Sequence, residues 1–594
     1  MSIMYVPYHM HSMLSNGTTN IDSITNFRDY VKVAADCGMP ALGISEHGNI
    51  FEWLHKKEAI EKAGMKYIHC VEAYITADTD DIPEKRRDNY HCVLIAKNYD
   101  GVKEINRMTS KSFSRDDCHF YYMPRITFDE LYATSDNVII TTACLGGVLH
   151  NGDDIVKEQF LTFLANNKHR CYLEIQHHNI EEQIEYNKYL YEISKAIGVP
   201  LIVGTDTHAL NELQMEGRAI LQSAKDVHFD DEDSWDLVFK TPEELLNAYK
   251  KQKSLPIDIV EDAMQNSIKM AESIEPFDVD HSAKYPKLYD DSEAVFKEKI
   301  NQGVVSRGIM SKPNYQEYID RIHYEYDTYK HNGAIDFMLL EEDYKSEMRR
   351  QGIRYGYSRG SVSGSIIAYL LGITEVDSVK YDLNFERFMN KERVSLADVD
   401  SDWYSEDRKA VREYLYHKDG LYCCDIVTFN TIALKGAIKD VVRGLFNINI
   451  KRMTVPEGLK KRIKEWEKSV KESGSRNPKM PESLEKEYTN CYNRSAVYKE
   501  VPYNYIKFSE ELITMVETNE ESTRKKYKRI FKYVDLVNGV VVSVGNHPAG
   551  CVVSPYPVDE WFGTFTTKTN DYPISVLNMK EIDSLNFVKL DILG

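Results

Sequence analysis

Short apolar runs rich in β-branched residues alternate with amphipathic helical stretches over the first 210 residues. The runs are "MYVPYHMH", "ALGISEH", "YIHCVEAYI", "HCVLIA", "VIITTAC", "CYLEIQHH" and "LIVGTDTH". Between most of them the apolar spacing is helical, as in "SITNFRDYVKVAADCG". Because alternating strands and helices build parallel sheets, the pattern predicts a distorted α/β barrel of seven βα units.

A different alternation occurs in "VSLADVDSDW", residues 394–403, where Asp398, Asp400 and Asp402 are separated by Val399 and Ser401. A period of two is the periodicity of a strand, so the three carboxylates are expected on one face. Like charges this close repel one another. We therefore expect bound cations to stabilise this strand.

Length and composition set broad limits on the protein class. A chain of 594 residues is too long for one core, so three or more domains are expected. Ten scattered cysteines without a CxxC pair, a start unlike a signal peptide and short apolar runs together favour a cytoplasmic protein. The net charge of −19 argues against a histone-like coat of nucleic acid, but it leaves room for a local basic channel.

Ligand-type side chains recur near the C-terminal ends of the predicted barrel strands, where βα barrels build their sites. They are His9, His11, His47, Glu72, Cys144, Asp206 and His208, while His91 opens its run instead of closing it. Imidazole, carboxylate and thiolate bind zinc and similar divalent ions, so the repetition predicts a metal site. His178 is a weaker candidate, for which a purely structural role is equally compatible with the sequence.

The motifs "HMHSMLSNGT", "ISEHGN", "VEAY", "YHCVLIAKN", "TACLGG" and "GTDTH" resemble those of the PHP (polymerase and histidinol phosphatase) domain. The resemblance implies that Zn²⁺, Mn²⁺ or Fe binds to His9, His11, His47, Glu72, His91, Cys144, Asp206 and His208. Asn16 stands where an aspartate is usual, which argues against a full set of three ions. Glu46 replaces the aspartate that usually precedes His47, and we expect it to orient that histidine.

A Gly/Ser-rich loop lies ahead of the aspartates, in "YGYSRGSVSGSIIAYLLGITEVD", residues 355–377. Its Gly-Ser pairs and the apolar run after them offer backbone N–H groups and a helix N-terminus to phosphate oxygens. Arg359 adds a guanidinium group. A phosphate cradle followed by Asp-x-Asp predicts phosphoryl transfer with two Mg²⁺ ions, one at a 3′-hydroxyl and one at a triphosphate.

The stretch 358–403 closely resembles the palm of the C-family bacterial replicases, the DNA polymerase III alpha family. So do "TFNTIALKGAIKDVVRGL" (428–445), "VGNHPAGCVVS" (544–554) and "FVKLDILG" (587–594). The resemblance implies that Asp398, Asp400 and Asp591 are catalytic and that Gly360 and Ser361 bind the triphosphate. It further implies charge-neutralising roles near primer, template or nucleotide for Arg359, Arg387, Lys435 and Lys589. Asp402 matches a position of the same motif that is not one of the three catalytic aspartates.

The resemblance also predicts the organisation of the chain. It implies a PHP barrel at 1–215, a helical connector at 216–285, a palm with a mixed sheet at 286–446 and 536–594, and a helical thumb at 447–535. A basic cluster in the thumb is expected to contact backbone phosphates, with a solvated helix face as the alternative. The cluster consists of Lys451, Arg452, Lys460, Lys461, Arg462 and Lys464.

The function implied is that of a template-directed DNA polymerase core, transferring nucleotides from dNTPs to a primer 3′-hydroxyl on primer–template DNA. A metal-dependent phosphoesterase or 3′–5′ exonuclease acting through the PHP site is the main alternative, and a non-catalytic assembly subunit is another. The family continues past the third aspartate into fingers and clamp-binding regions, so we expect either a truncated product or a split enzyme. In a split enzyme a second polypeptide would dock on an exposed apolar face formed by Val588, Leu590, Ile592 and Leu593. High usage of Tyr, Lys and Asn favours a phage source.

Overall fold

The computed structural model describes residues 4–79, 88–229, 234–392, 399–473 and 479–593. In chain order its first part contains α1 (Phe27–Asp36), β1 (Ala41–Gly43), α2 (Trp53–Lys62), β2 (Lys66–Ile68), β3 (Cys70–Thr76), β4 (Tyr90–Ala96), α3 (Tyr99–Ser112), β5 (Phe120–Tyr121), β6 (Met123–Thr127), α4 (Phe128–Tyr132), β7 (Val138–Thr141), α5 (Val148–Asn151), α6 (Asp154–Asn166), β8 (Cys171–Ile175), α7 (Glu181–Ile197), β9 (Leu201–Val203), α8 (Glu212–Lys225), α9 (Pro242–Gln252) and α10 (Ile257–Ser273).

The strands of this first part close into a barrel. One sheet has the order β5–β6–β3–β4–β7–β8–β9, and β1 pairs with β2 beside it. The segment before α1 joins the two ends, because the amide of Gly43 donates to the carbonyl of Pro7 and the amide of His11 donates to the carbonyl of Thr207. The predicted α/β barrel is therefore confirmed, although "MYVPYHMH" contributes isolated pairings and not a regular strand.

Strand β4 runs against its neighbours. It is antiparallel to β3 and β7, whereas the pairs β7–β8 and β8–β9 are parallel. The expectation of a parallel barrel is wrong at this strand, because antiparallel neighbours need no crossover helix and none lies between β3 and β4 in the residues described. The reversal brings the beginning of β4, with His91, to the edge where the neighbouring strands end.

The second part contains α11 (Ser292–Ser306), α12 (Tyr315–His331), α13 (Ile335–Arg350), α14 (Ile366–Leu370), β10 (Ser401–Asp402), α15 (Arg408–Tyr416), β11 (Tyr422–Thr431), α16 (Leu434–Arg452), α17 (Glu457–Ser473), α18 (Glu482–Ser495), α19 (Tyr505–Thr518), α20 (Glu520–Lys526), α21 (Lys528–Val537), β12 (Val541–Ser554), α22 (Val558–Trp561), β13 (Thr564–Thr567), β14 (Asn570–Ser575), α23 (Met579–Ser584) and β15 (Val588–Leu593). Short 3-10 turns lie at Ser15–Gly17, Ile309–Ser311, Gly360–Gly364 and Phe385–Arg387. Among the helices described, none combines the length and apolarity that a bilayer span requires.

A six-stranded mixed sheet organises this part, in the order β10–β15–β12–β11–β14–β13. The pairs β10–β15 and β11–β14 are parallel and the other pairs are antiparallel. The expected mixed sheet is thus confirmed. Helices α16–α21 form a helical insert between β11 and β12, while the domain boundaries drawn from the sequence stay predictions.

The helical insert packs against the barrel through α8 and α16. Ile220 and Leu221 of α8 share a buried cluster with Val441 and Leu445 of α16. A Cβ atom at Gly444 would collide with the carbonyl oxygen of Ile220, so the two helices approach as closely as only glycine allows. The barrel and the insert are therefore in close contact at this crossing.

The apolar side chains of β15 face the interior. Val588, Leu590 and Ile592 are 2%, 1% and 1% exposed and belong to the core behind the mixed sheet. The expected docking face at these positions is therefore wrong, because the alternation of the strand turns three of the four residues inward and leaves only Leu593 half-buried.

A buried carboxyl group lies where the barrel meets the mixed sheet. The amide of His55 in α2 donates to Glu581 Oε1 at 2.9 Å, and the indole of Trp53 donates to the carbonyl of Phe562 at 3.0 Å. Burial, together with the negative charge of Glu52, raises the pKa of Glu581 to about 8. The folded chain therefore binds a proton at Glu581 that the unfolded chain releases near pH 4.5.

We expect this proton to make stability depend on pH. The contribution of Glu581 is fully present below pH 4.5 and is lost as the pH rises towards 8, by on the order of 2–4 kcal/mol. The difference in melting temperature between the wild type and Glu581→Gln should therefore shift in favour of the variant between pH 5 and pH 9. Glu58→Gln, on the exposed side of α2, is the control. Parallel pH profiles for all three proteins would contradict the prediction.

Candidate functional sites

The barrel brings most of its predicted ligand residues into one buried cluster. Within each of three overlapping groups, one ligand atom per residue lies within 4.8 Å of the others. The groups are His11, Asp22, His47 and His208; His9, His11, Glu72 and Asp206; and His47, Glu72 and His91. The groups share members, so cations held by them would be close neighbours.

Glu72 lies at the centre of the cluster. Its Oε1 is 3.2 Å from His9 Nε2 and 2.9 Å from His91 Nδ1. Its Oε2 is 2.7 Å from His47 Nδ1 and 3.4 Å from His11 Nε2. Burial opposes ionisation here, but the imidazoles of His91, His47 and His9 outweigh it and hold the pKa of Glu72 well below its usual range.

Asp206 forms a second bridge between histidines, with its Oδ1 3.3 Å from His9 Nε2 and 3.2 Å from His11 Nε2. Burial, with the neighbouring imidazoles of His47 and His208, lowers the pKa of His11 to about 4, so this ring is neutral at physiological pH. Neutral imidazole is the form that binds metals. Asp206 Oδ1 and the Nε2 atoms of His9 and His11 find no hydrogen-bond partner among the described residues.

Cys144 closes the side of the cluster next to β4. Its Sγ lies 3.5 Å from His91 Nδ1 and 3.8 Å from Glu72 Oε1, and it accepts a hydrogen bond from the amide of Gly146 at 3.3 Å. Burial and the carboxylates of Asp206 and Glu72 raise the pKa of the Cys144 thiol well above its usual range. A nearby cation would reverse this and favour the thiolate.

Two residues of the cluster were missed by the sequence reasoning. Asp22 Oδ1 lies 3.4 Å from His47 Nε2 and 3.3 Å from His208 Nε2. Glu174 Oε1 lies 2.6 Å from His9 Nδ1, where it fixes the orientation of that ring. Glu174 follows an apolar run, as the other ligand candidates do, so that signal was present in "CYLEIQ".

Asn16 has a structural role. Its side-chain amide donates to the carbonyls of Ser23 and Val541, and its Oδ1 accepts from the amides of Asp22 and Ser23. Asp22 provides a carboxylate close to His47 and His208, while the number of ions that the cluster holds stays a prediction. Asn16 holds the turn that places Asp22.

Glu46 and His178 do not contact the cluster as ligands. Glu46 accepts from Lys56 Nζ at 2.7 Å and from Ser15 Oγ at 2.7 Å, and Ser15 Oγ in turn accepts from the amide of His47. The expected contact between Glu46 and His47 is thus indirect. His178 stacks on Trp235 with ring centroids 5.5 Å apart and belongs to none of the ligand groups.

A second candidate site lies on the mixed sheet, where β10 and β15 run side by side. Ser401 pairs with Ile592 and Asp402 pairs with Leu593 in parallel register, so Asp400 and Asp591 precede these pairs on neighbouring strands. Asp400, Asp402 and Asp591 are half-buried. Ser401, between the first two aspartates, and Ile592, next to the third, are buried and face inward. Asp398 lies outside the described residues.

The Gly/Ser loop adjoins these aspartates. Gly360 adopts a φ of +69°, which disfavours any side chain, and a Cβ atom there would lie 3.6 Å from Asp400 Oδ2. Ser361 is half-buried in the same 3-10 turn. The loop therefore lies against Asp400, so a phosphate chain bound at the loop would be next to cations held by the aspartates.

The N-terminus of α14 is already occupied. Glu325 accepts hydrogen bonds from the amides of Ile366 and Ile367 at 3.0 and 3.1 Å and from Ser365 Oγ at 2.7 Å. The expected use of this helix end for phosphate is therefore wrong, because a buried carboxylate neutralises its orphan N–H groups. The backbone N–H groups of the loop that Glu325 does not occupy lie in the Gly360–Gly364 turn.

The predicted basic residues lie at different distances from the aspartates. Arg359 Nη1 is 2.6 Å from Asp402 Oδ1, and its Nε is 3.9 Å from Asp400 Oδ2. Lys589 lies on the same face of β15 as Asp591. Arg387 is exposed on the turn Phe385–Arg387, and Lys435 begins the helical insert, where its Nζ is 2.5 Å from Glu517.

The basic residues that were predicted to form one cluster in the insert lie in two separate places. Lys451 and Arg452 end α16 next to the barrel, whereas Lys460 and Arg462 lie on α17 and pair with Glu457 and Glu487. The α17 side chains fit the solvated helix face that was the alternative.

Known proteins resemble the whole chain. The family model of the bacterial DNA polymerase III alpha NTPase domain matches residues 294–594, and that of the PHP domain matches residues 7–178. The DNA polymerase III subunit alpha of Borreliella burgdorferi is 28% identical over 99% of this chain and 48% of its own length. Those of Aquifex aeolicus and Helicobacter pylori are 27% and 25% identical over 100% and 99% of this chain, and over 51% and 48% of their own lengths. The chain thus spans about half the length of the curated relatives it matches.

Proposed function

Because this chain belongs to the bacterial DNA polymerase III alpha family, we propose that its mixed sheet and Gly/Ser loop form the nucleotidyl-transfer centre of a template-directed DNA polymerase. The observation that supports this most directly is the parallel pairing of β10 with β15 beside Gly360, which makes Asp400 and Asp591 neighbours at the loop. The substrates are dNTPs and primer–template DNA.

The residues present fit a divalent-cation site. Asp591 Oδ1 has no hydrogen-bond partner among the described residues, and Asp402 takes its counter-charge from the guanidinium of Arg359. Divalent ions bound there, Mg²⁺ by expectation, neutralise triphosphate charge and activate the primer hydroxyl. Asp398, Asp400 and Asp591 are the proposed ligands. The amides of Gly360 and Ser361 bind phosphate oxygens, and Arg359 and Lys589 add positive charge at the same face.

Primer extension tests this proposal. The chain, with all four dNTPs and Mg²⁺, should add nucleotides to a primer only as the template directs, and removal of the divalent ion should stop addition. Template-independent addition, or extension that persists in a chelator, would contradict the proposal.

We propose that the barrel cluster binds two or three divalent ions and hydrolyses phosphoesters as a second activity. The overlap of the three ligand groups favours this, since adjacent cations can hold both the attacking and the leaving oxygen. Zn²⁺, Mn²⁺ and Fe are the candidates, because the ligand set mixes imidazole, carboxylate and thiol groups. With Mn²⁺ the chain should shorten a primer 3′ end, and His11→Ala should abolish the shortening. Shortening that survives this substitution would exclude the barrel as its source.

Asp22 is expected to complete the ligand group that it forms with His11, His47 and His208. Burial opposes ionisation of Asp22, but the imidazoles of His208 and His47 hold its pKa well below the usual range, so a full negative charge faces the cluster. Asp22→Asn removes that charge and should lower the bound metal by about one ion per chain in elemental analysis. Asp29→Asn, on the exposed side of α1, is the matched control. Equal metal content in all three proteins would exclude Asp22 as a ligand.

A further inference from the structure

A cavity of about 560 Å³ lies between the barrel and the helical insert. Its walls come from α8, from the segments on either side of residues 230–233, from the end of α16 and from the loop that carries Tyr498. The volume falls in the range of small-molecule sites, roughly 300–1,000 Å³. The residues that line it include none of the barrel ligands and none of the Gly/Ser loop, and the functions proposed above do not use the cavity.

The lining combines cations with aromatic rings. Arg218, Lys451 and Arg452 supply positive charge, and the rings of Phe229, Trp235 and Tyr498 also line the cavity. Each ring has one side covered, by Arg218, His178 and Arg529 respectively, so a base would stack on the opposite side. Lys451 Nζ lies 3.5 Å from His228 Nδ1, so two basic groups are adjacent at one wall. Glu216 also lines the cavity, where it accepts a hydrogen bond from the Tyr533 hydroxyl at 2.8 Å, and Arg218 is paired with Asp22. Lys451 and Arg452 are therefore the cations that favour an anionic ligand in this concave surface.

Helix stabilisation alone does not account for this composition. Lys451 and Arg452 occupy the last turn of α16, where cations favour the helix dipole. Arg218, however, is on α8, is only 3% exposed, and lies with its guanidinium carbon 5.4 Å from the Phe229 ring centroid. Its Nη2 is 3.7 Å from Asp22 Oδ1, so this wall of the cavity adjoins the barrel cluster. Cations from two parts of the chain therefore meet at one cavity.

We propose that this cavity binds a nucleoside phosphate, with the phosphate on Lys451 and Arg452 and the base against the aromatic side chains. Guanidinium and ammonium groups bind phosphate oxygens, and aromatic faces stack on any base. The same chemistry is offered by a free nucleotide and by the terminal nucleotide of a single strand. Arg218 links the site to Asp22 and hence to the barrel cluster.

Calorimetric titration of the full chain with dAMP tests the proposal, because a monophosphate lacks the triphosphate that the Gly/Ser loop is proposed to bind. We expect saturable binding that Arg452→Glu weakens at least about tenfold. Arg443→Glu is the matched control, since Arg443 is exposed on the same helix and does not line the cavity. Inorganic phosphate should bind more weakly than dAMP, because it lacks the base.

The ligand source is resolved by a short single-stranded oligonucleotide with a terminal phosphate. Tighter binding than dAMP, still sensitive to Arg452→Glu, identifies a strand end, whereas binding of dAMP alone identifies a free nucleotide. Both outcomes support the site. Absence of saturable dAMP binding at millimolar concentration, or equal weakening by Arg452→Glu and Arg443→Glu, would overturn the proposal.

Discussion

Replacing Asp591 with asparagine is expected to lower nucleotide incorporation by at least ~10². Asp591 lies on β15 next to the strand that carries Asp400, and its Oδ1 has no partner among the described residues. Asparagine keeps the size of the side chain but removes one negative charge from a site proposed to bind two divalent cations. The substitution therefore tests charge and leaves packing nearly unchanged.

The fold should survive this substitution. Asp591 is half-buried beside other carboxylates, so loss of its charge relieves repulsion in the metal-free protein. We expect a melting temperature equal to or above that of the wild type without Mg²⁺, and a smaller increase when Mg²⁺ is added. Asp419→Asn, in the exposed loop before β11, should behave as the wild type in both assays. Incorporation by Asp591→Asn within a few fold of the wild type would refute the assignment.

The sequence predicted the architecture wherever local periodicity and tertiary structure agree. Apolar runs ending in ligand-type residues predicted the barrel and most of its cluster, because strand ends converge at one edge of a barrel. The alternation around Asp400 and the motif that contains Asp591 predicted two neighbouring strands, and the register of β10 with β15 agrees with that expectation.

The features that the sequence did not predict depend on long-range contacts. The direction of β4 is set by its pairing with β3 and β7, and its local sign in the sequence was that the ligand candidate His91 opens the run instead of closing it. Asp22 follows a turn held by Asn16, whose amide reaches Val541 far along the chain. Glu325 lies on a separate helix and accepts from the first N–H groups of α14. The sequence of the Gly/Ser loop gives no sign of this contact, so these N–H groups were wrongly expected to bind phosphate.

The inward orientation of Val588, Leu590 and Ile592 has a similar explanation. Alternation in β15 predicts two faces, but it does not say which face meets the core. The helices that cover one side of the mixed sheet decide this, and they place the apolar side chains inside and Asp591 on the other face. The same alternation thus explains both the failed docking face and the position of the aspartate.

The second large effect is a loss of bound metal, which we expect for the substitution Glu72→Gln. Glu72 is fully buried and its two oxygens contact His9, His11, His47 and His91, so it belongs to two of the three ligand groups. The substitution keeps the shape of the side chain and removes the charge that those groups share. Elemental analysis should show the loss of more than one divalent ion per chain, which exceeds the loss of about one ion expected for Asp22, a residue of a single group.

Loss of bound metal in Glu72→Gln should also lower the melting temperature of the protein. A ligand present at about 1,000 times its Kd stabilises the folded state by about 4 kcal/mol. With an unfolding entropy of about 2.1 cal/mol/K per residue over 594 residues, Glu72→Gln should melt about 3 °C below the wild type. Chelation separates this from a packing defect: it should lower the melting temperature of the wild type towards that of the variant and change the variant little. Glu158→Gln, exposed on α6, is the control and should respond as the wild type does. If the variant and the wild type lose the same number of degrees on chelation, Glu72 does not hold the metal, because a ligand at the centre of the cluster cannot lose its charge and leave the linkage between metal binding and folding intact.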